Sequence, residues 1–312
     1  MPLRFTLRQL EYFQAVAECG SIAAASERVN VSSPSISAAI SQLEEEFGLQ
    51  LFVRKHAHGL SLTPGGAQFL QQTRNVLSEA SQLISLANDV TNKVRGPLNV
   101  GCLLTFAQII LPQLRKRFVT LHPEVEFRQF ERSQTGLIEG LRNAVFDIAL
   151  TYDLNIPDDL IFKPLLTLPP YLLVSEDHDL AQCDSVSPAE LVKYPMVLLD
   201  LPVSSDYFLS FFNKIGKAPN IVERTHDMAV MQALVANGIG FSFANIRPTS
   251  ERAPDGKKLR YIPLSGKLRA LHLGLLRQKH ARSTLTVSTF ASFCQKSITE
   301  EAAPGLKLRA TS

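Results

Sequence analysis

No apolar run in this chain approaches the roughly 18 residues that a membrane span needs, and the opening stretch MPLRFTLRQLEYF lacks the apolar centre of a signal peptide. Both absences predict a chain that stays in the cytoplasm and makes no membrane contact. Cysteine is scarce. The four, Cys19, Cys102, Cys183 and Cys294, lie far apart with no CxxC pair, which indicates neither a disulfide framework nor a zinc site. Cys102, near a predicted strand end, is the one thiol considered as a redox sensor, and a small buried hydrophobe is the simpler reading. Positive charge is missing where a nucleic-acid binder would want it. The net charge is +3, yet residues 1–64 hold five Lys/Arg against six Asp/Glu, and the excess sits in residues 247–312, with thirteen bases and four acids. Charge alone does not point to DNA.

What is present is an ordinary globular composition, 45% hydrophobic and 20% charged, over 312 residues, enough for two or three domains. Thr6 can cap a first helix that places Leu7, Leu10, Phe13 and Val16 on one face and stops at Gly20. Ser21 caps a second helix over residues 22–29. Asn30 makes a turn, and Ser32 starts a third helix with Ile36, Ile40, Leu43 and Phe47 at helical spacing, ended by Gly48. Two short helices across a tight turn are the helix-turn-helix pattern, assigned to residues 22–41. Residues 51–53 and 60–62 read as a small hairpin, a wing, with His58 and Gly59 near its tip.

Thr63-Pro64 restarts a helix. Thr73, Val76, Ala80, Leu83, Ala87, Val90 and Val94 follow in steps of three and four, with no proline between Pro64 and Asn92. This heptad seam over about three heptads predicts some 40 Å of helix that wants a partner helix. Arg95-Gly96-Pro97 breaks it. Strand signals then fall at residues 98–102, 125–130, 147–151, 171–175, 196–199, 239–243 and 271–276, and helical spacing at 106–118, 135–143, 206–214, 228–236 and 284–297. Such alternation predicts α/β architecture with parallel sheets covered by helices. Residues 301–312 read as an untethered tail.

Residues 7–66, LRQLEYFQAVAECGSIAAASERVNVSSPSISAAISQLEEEFGLQLFVRKHAHGLSLTPGG, resemble the LysR-type transcriptional regulators. The likeness continues more weakly through Thr105, Leu111-Pro112, Glu131, Asp147-Ile148-Ala149-Leu150 and Gly238-Ile239-Gly240. It implies a multidomain α/β chain. A winged helix-turn-helix occupies residues 1–63 and a dimerising linker helix 64–94. A two-lobed effector domain similar to periplasmic binding proteins covers 95–300, with one lobe near 95–167 and 269–300 and the other near 168–268. It also implies double-stranded DNA and a small-molecule effector as partners, no cofactor, no catalysis, and a homotetramer.

In the third helix, Ser32, Ser33, Pro34, Ser35 and Ser37 occupy the first turns, where hydroxyls and free N–H groups meet phosphates or base edges in a major groove. Relatives commonly carry Gln where this chain has Ser33 and a large polar residue where it has Ala38, and no charged side chain falls in residues 32–40. Bidentate base readout by Arg or Gln is absent there, which leaves serine contacts, apolar contact with thymine methyls, and DNA shape. Arg54 matches the family's wing arginine, and Lys55, His56 and His58 add to a phosphate grip. Landmark alignment gives effector candidates Leu103, Leu104, Thr105, Ser133 and Gln134 in one lobe and Val203, Ser204 and Phe243 in the other, with Arg132 placed to pair with a carboxylate. Apolar Leu103 favours an aromatic or aliphatic acid. Ligand in the cleft would change the spacing of the heads and so DNA bending or contact with RNA polymerase.

Two rival readings are weaker. Gly240-Phe241-Ser242-Phe243-Ala244 is nearly a GxSxG nucleophile elbow, with Asp255 and His272 following in hydrolase order, but the predicted helix precedes the strand, the reverse of what the elbow needs. A solute-binding protein would explain two lobes but not the N-terminal helices.

Overall fold

The computed structural model describes residues 3–55, 59–281 and 283–308, without the side chains of Lys55 and of positions 82, 84, 85 and 87–89. The chain divides into two compact units, the first built on Met1–Thr91 and the second on the residues that follow.

In the first unit, α1 (Leu7–Cys19), α2 (Ile22–Val29) and α3 (Ser33–Phe47) are set by local signals. Thr6 and Gln9 close a reciprocal capping box, Ser21 accepts from the Ala24 N–H, and Gly20, Asn30 and Gly48 end the three helices in the left-handed region. Between α2 and α3, the Ser26 hydroxyl donates to Val31 O (2.6 Å) and the Val31 N–H to Ser26 O (3.1 Å), which pins the turn. Phe13, Val16, Ala25, Ile36, Leu43 and Leu51 are fully buried together. The wing hairpin pairs β1 (Phe52–Lys55) with β2 (Gly59–Leu62).

Two contacts fasten that hairpin to the helices. One Glu44 carboxylate oxygen accepts the Leu51 and Phe52 N–H groups (2.7 and 3.3 Å), and the Leu60 N–H donates to Gly20 O (2.8 Å). Gly59 has φ 79° and lies so close to Gly20 that a Cβ would come within 2.6 Å of its carbonyl oxygen, so only glycine serves there.

The linker helix α4 (Pro64–Val90) has 27 residues, about 40 Å at about 1.5 Å each. Thr63 caps it by accepting the Gly66 N–H (2.8 Å). Its first turns pack Phe69, Leu70 and Leu77 onto the helix-turn-helix core. The predicted seam therefore changes character along its length. Thr73 is buried in this unit, whereas Val76, Leu83 and Val90 are 42, 71 and 79% exposed. Val94 lies beyond the helix, which stops before Asn92 turns left-handed at φ 52°.

The second unit holds two sheet systems. A five-stranded sheet has the order β4-β3-β5-β12-β6, from β3 (Gly96–Leu103), β4 (Val125–Arg132), β5 (Ile148–Tyr152), β6 (Leu160–Leu168) and β12 (Leu271–Gln278). Around it run α5 (Leu104–Ala107), α6 (Leu111–Leu121), α7 (Gln134–Arg142) and α11 (Leu285–Ser297). Phe290 of α11 meets Phe118 and Phe127 edge-on at 5.1 and 5.5 Å. The other lobe has β7 (Tyr171–Ser175) between β10 (Ser242–Ala244) and β11 (Leu259–Pro263), and a pair of β8 (Pro195–Leu199) with β9 (Asn220–Thr225). Its helices are α8 (Pro188–Leu191), α9 (Ser204–Asn213) and α10 (Met228–Ala236).

The expected parallel sheets are mixed. β3–β4, β3–β5 and β8–β9 are parallel, but β12 runs antiparallel to β5 and β6, because the chain re-enters the first sheet after passing through the other lobe. β7 pairs antiparallel with both its neighbours. Strands β6, β9 and β11 fall outside the strand signals of the sequence. β6 contains Pro164, tolerated on a sheet edge, opposite a register shift at Leu273/Gly274. The helix expected over 106–118 is two, since Pro112 starts a new one.

The tail expected to hang free is docked as far as the description reaches. Leu306 bridges Pro248, the Lys307 N–H donates to Arg247 O (2.8 Å), and the Thr249 N–H donates to Gly305 O (2.9 Å). These backbone bonds satisfy peptide groups of a segment that has no helix or strand of its own.

Candidate DNA-reading head and effector cleft

On α3 the buried residues Ile36, Ala39, Ile40 and Leu43 share one face. Ser32, Pro34, Ser35, Ser37 and Ala38 stand exposed on the other, with Ser33 half-buried. Ser32 begins the helix without a side-chain cap bond, and its hydroxyl instead pairs with that of Ser35 (2.8 Å). The N-terminal N–H groups of α3 are therefore not claimed by the Ser32 side chain, as a phosphate-facing helix start requires. Arg54 is exposed on β1, opposite Leu60. Lys55 pairs with Gly59 through its backbone, while His56 and His58 lie outside the described residues.

Sequence reasoning passed over the anchoring of this head. Glu44 ties α3 to the wing two residues before Arg54. Arg28 pairs with Glu18 at 2.7 Å, and Glu18 also meets Arg74 of α4 at 3.4 Å. These bases act within the protein, and among the described side chains Arg54 is the sequence-predicted cation displayed on the wing.

Of the effector candidates, the structure gives several to the interior. Leu103 is 2% exposed and Thr105 8%. Gln134 is 1% exposed, and its amide is fully engaged: Nε2 donates to Leu154 O (2.8 Å) and Tyr152 O (3.3 Å), and Oε1 accepts from the Thr151 hydroxyl. It clamps the end of β5 to α7 rather than offering groups to a ligand. Phe243 belongs to an aromatic core, stacked on Phe208 at 5.6 Å and flanked by Phe211, Phe212 and Phe241.

Leu104, Ser133, Val203 and Ser204 remain partly exposed, and Arg132 is exposed with its guanidinium on Glu131 O (2.7 Å). Ser133 caps α7 by accepting the Gly136 N–H (3.3 Å). Val203 precedes α9 with φ 71°, a strained conformation for a β-branched residue, and supplies no cap. The predicted polar contacts thus reduce to two helix starts, at α7 and α9, whose dipoles favour a negative group.

One network escaped sequence reasoning. The chain passes between the lobes twice, after β6 and before β12. Asn245 Nδ2 donates to Leu168 O (3.0 Å) and to the Tyr207 hydroxyl (3.1 Å), which donates to Arg269 O (2.6 Å). Arg269 reaches Asp153 (3.0 Å), and Asp153 accepts the His272 N–H (2.8 Å) and faces its Nδ1 (2.9 Å). Burial raises the Asp153 carboxyl, but bonds from His272 and Arg269 outweigh it and hold the group below its ordinary value. A polar chain thus joins both crossovers. No motif marks its members, which lie up to 119 residues apart.

The hydrolase elbow does not form. Helix α10 precedes β10, Ser242 pairs with Leu173 in the sheet, Asp255 accepts from Asn237 (2.7 Å), and His272 sits on Asp153. Burial holds the Cys102 thiol well above its ordinary range, so it stays protonated inside β3.

A winged helix-turn-helix on one unit and a two-lobed α/β body in the other define a DNA-binding protein with a small-molecule domain. Residues 7–67 match the bacterial regulatory helix-turn-helix protein, lysR family, and residues 91–299 match the LysR substrate binding domain. The chain belongs to the LysR family of transcriptional regulators, with a helix-turn-helix DNA-binding domain and an effector-binding domain.

The chain is similar to the HTH-type transcriptional regulator BsdA of Bacillus subtilis, 28% identical over 243 residues that cover 76% of this chain and 82% of that one. CysB of Haemophilus influenzae is 30% identical over 237 residues, covering 75 and 73%. Among solved structures, HinK, a LysR family transcriptional regulator from Pseudomonas aeruginosa, superposes with a TM-score of 0.64 at 34% identity, covering 96% of this chain and all of that one. No described helix is long and apolar enough to cross a membrane.

Proposed function

We propose that this regulator reads DNA as paired heads, through the serine-lined start of α3 and a phosphate contact by Arg54, under the control of a small organic acid. The observation that carries the reading is the exposed, uncharged face of α3, with Ser32, Pro34, Ser35, Ser37 and Ala38 turned away from the core. Residues 32–40 hold no Arg or Gln and give little base discrimination per head, so specificity has to come from two or more heads acting together and from DNA shape. Exposed Val76, Leu83 and Val90 on α4 support pairing through this helix, since an apolar stripe along about 21 Å of helix is costly in water. The pairing is a dimer through α4, and two dimers make the tetramer. The domain limits follow, with the head ending at Thr63 and the linker at α4.

The effector is an aromatic or aliphatic acid whose carboxylate lies at the starts of α7 and α9, near Ser133 and Ser204, with Leu104 and Val203 against its apolar part. Helix starts favour anions because unpaired N–H groups and the dipole point at them. Ligand shifts the balance between two arrangements of the lobes, and α4 carries the shift to the spacing of the heads, to DNA bending and to polymerase contact. Arg54→Ala tests the phosphate contact. On a duplex selected from random DNA by the full chain, it should weaken binding evenly across sequences and reduce the salt slope by about one. An unchanged slope removes Arg54 from the interface.

A further inference from the structure

The chain crosses between the lobes after β6 and before β12, and residues 299–308 join the same lobes a further time by non-covalent contacts. Helix α11 leaves the five-stranded lobe at Ser297, and Ile298, 1% exposed, anchors the exit. A turn follows, in which the Thr299 N–H donates to Ala302 O (2.8 Å) and the Ala302 N–H to the Thr299 hydroxyl (3.1 Å). The segment then reaches the other lobe. There Leu306 bridges Pro248, the Lys307 N–H donates to Arg247 O (2.8 Å), the Thr249 N–H donates to Gly305 O (2.9 Å), and Lys307 Nζ meets Glu251 at 3.3 Å.

Two residues of the segment hold the lobes at the crossover itself. Gly305 bonds the second lobe through its carbonyl, while its Cα packs on the first lobe between α5 and α6, where a Cβ would come within 2.6 Å of Ile109 O. With φ 74° and that backbone against it, only glycine fits. The Glu300 carboxylate accepts the Thr167 N–H (2.8 Å), next to Leu168, whose carbonyl accepts from Asn245 of the other lobe (3.0 Å). Turning one lobe against the other therefore pulls on these bonds, and hydrogen bonds weaken steeply once their geometry is lost. The hold is also weak enough to release. Each bond contributes about 1 kcal/mol, and the Lys307 ion pair is half exposed and adds little.

We propose that residues 299–308 are a releasable strap: docked, they hold the two lobes in one arrangement, and undocked, they let the lobes turn about the two covalent crossovers. A change of lobe arrangement then requires the strap to open, so the strap sets how readily the body changes state. This holds whether or not the cleft takes an acid.

Hydrogen exchange read by mass spectrometry tests it, with the full chain compared with one stopped after Thr299 and one stopped after Leu308, which keeps the strap. The reporters are the Asp153 N–H, bonded to His272 O, and the His272 N–H, bonded to the Asp153 carboxylate, which lie at the second crossover and make no bond to the strap. Loss of several bonds worth about fivefold each should speed their exchange about tenfold or more in the chain stopped after Thr299 and leave it unchanged in the chain stopped after Leu308. Gly305→Val, which keeps every other strap residue but cannot seat against Ile109, should act in the same direction. If the shorter chain does not fold, this variant decides. Faster exchange confined to Thr167 and Thr249, whose N–H groups bond the strap directly, would overturn the proposal. So would an equal acceleration in buried β3, which marks general destabilisation rather than a freed hinge.

Discussion

Replacing Gln134 by Leu separates a clamp from a ligand contact, because the two roles predict opposite outcomes. The amide makes three hydrogen bonds, to Tyr152 O, Leu154 O and from the Thr151 hydroxyl, in a site that is 1% exposed. Each net contribution is about 1 kcal/mol, and the two carbonyls left without a donor add a desolvation penalty. The nearly isosteric leucine returns about 1 kcal/mol of apolar burial. The net loss is about 2–4 kcal/mol, or roughly 5–12 °C in the melting temperature of a domain of this size. Differential scanning calorimetry of the full chain reads this directly. Unchanged stability with effector response abolished would refute the clamp and return Gln134 to the ligand.

Glu44→Ala should lower stability by about 1–2 kcal/mol and weaken DNA binding as well, since it frees the Leu51 and Phe52 N–H groups just before Arg54. Urea unfolding and fluorescence anisotropy check both, and a stability loss with DNA affinity intact would contradict the anchoring role. Val203→Gly relieves the φ 71° backbone and should raise stability by about 1 kcal/mol, so a loss in urea unfolding would dismiss the strain. The Asp153 carboxyl lies below its ordinary value of 3.8, so its stabilisation is complete above that pH and is lost as pH falls through the lower folded value. Asp153→Asn should therefore differ most from the parent near neutrality and converge with it as pH falls through the lowered folded value. Parallel curves across that range would remove Asp153 from the crossover network.

The head was legible because its signals are local. Thr6, Gly20, Ser21 and Gly48 mark helix ends within one turn of where they act, and the spacing of Ile36, Ile40 and Leu43 names the buried face directly. The effector domain was harder to read, because its side chains are assigned by distant partners. Gln134 and Phe243 look like ligand contacts by position, yet one is saturated by the end of β5 and the other enclosed by phenylalanines of α9 and by Phe241. Pro164 hid an edge strand, and nothing near Asn245 announces that it ties Leu168 to Tyr207. Residues 301–308 seemed idle because backbone bridges, which composition does not encode, hold them.

The central claim is that a head with an uncharged reading face works only in pairs held by α4. It is tested most directly by measuring DNA affinity after Leu83→Glu and Val90→Glu together, which place charges on the exposed stripe far from α3. Sedimentation should show dissociated chains, and affinity for the selected duplex should fall by about a hundredfold or more, the typical loss when linked sites are uncoupled. A dissociated chain that binds the duplex as tightly as the parent would contradict the account.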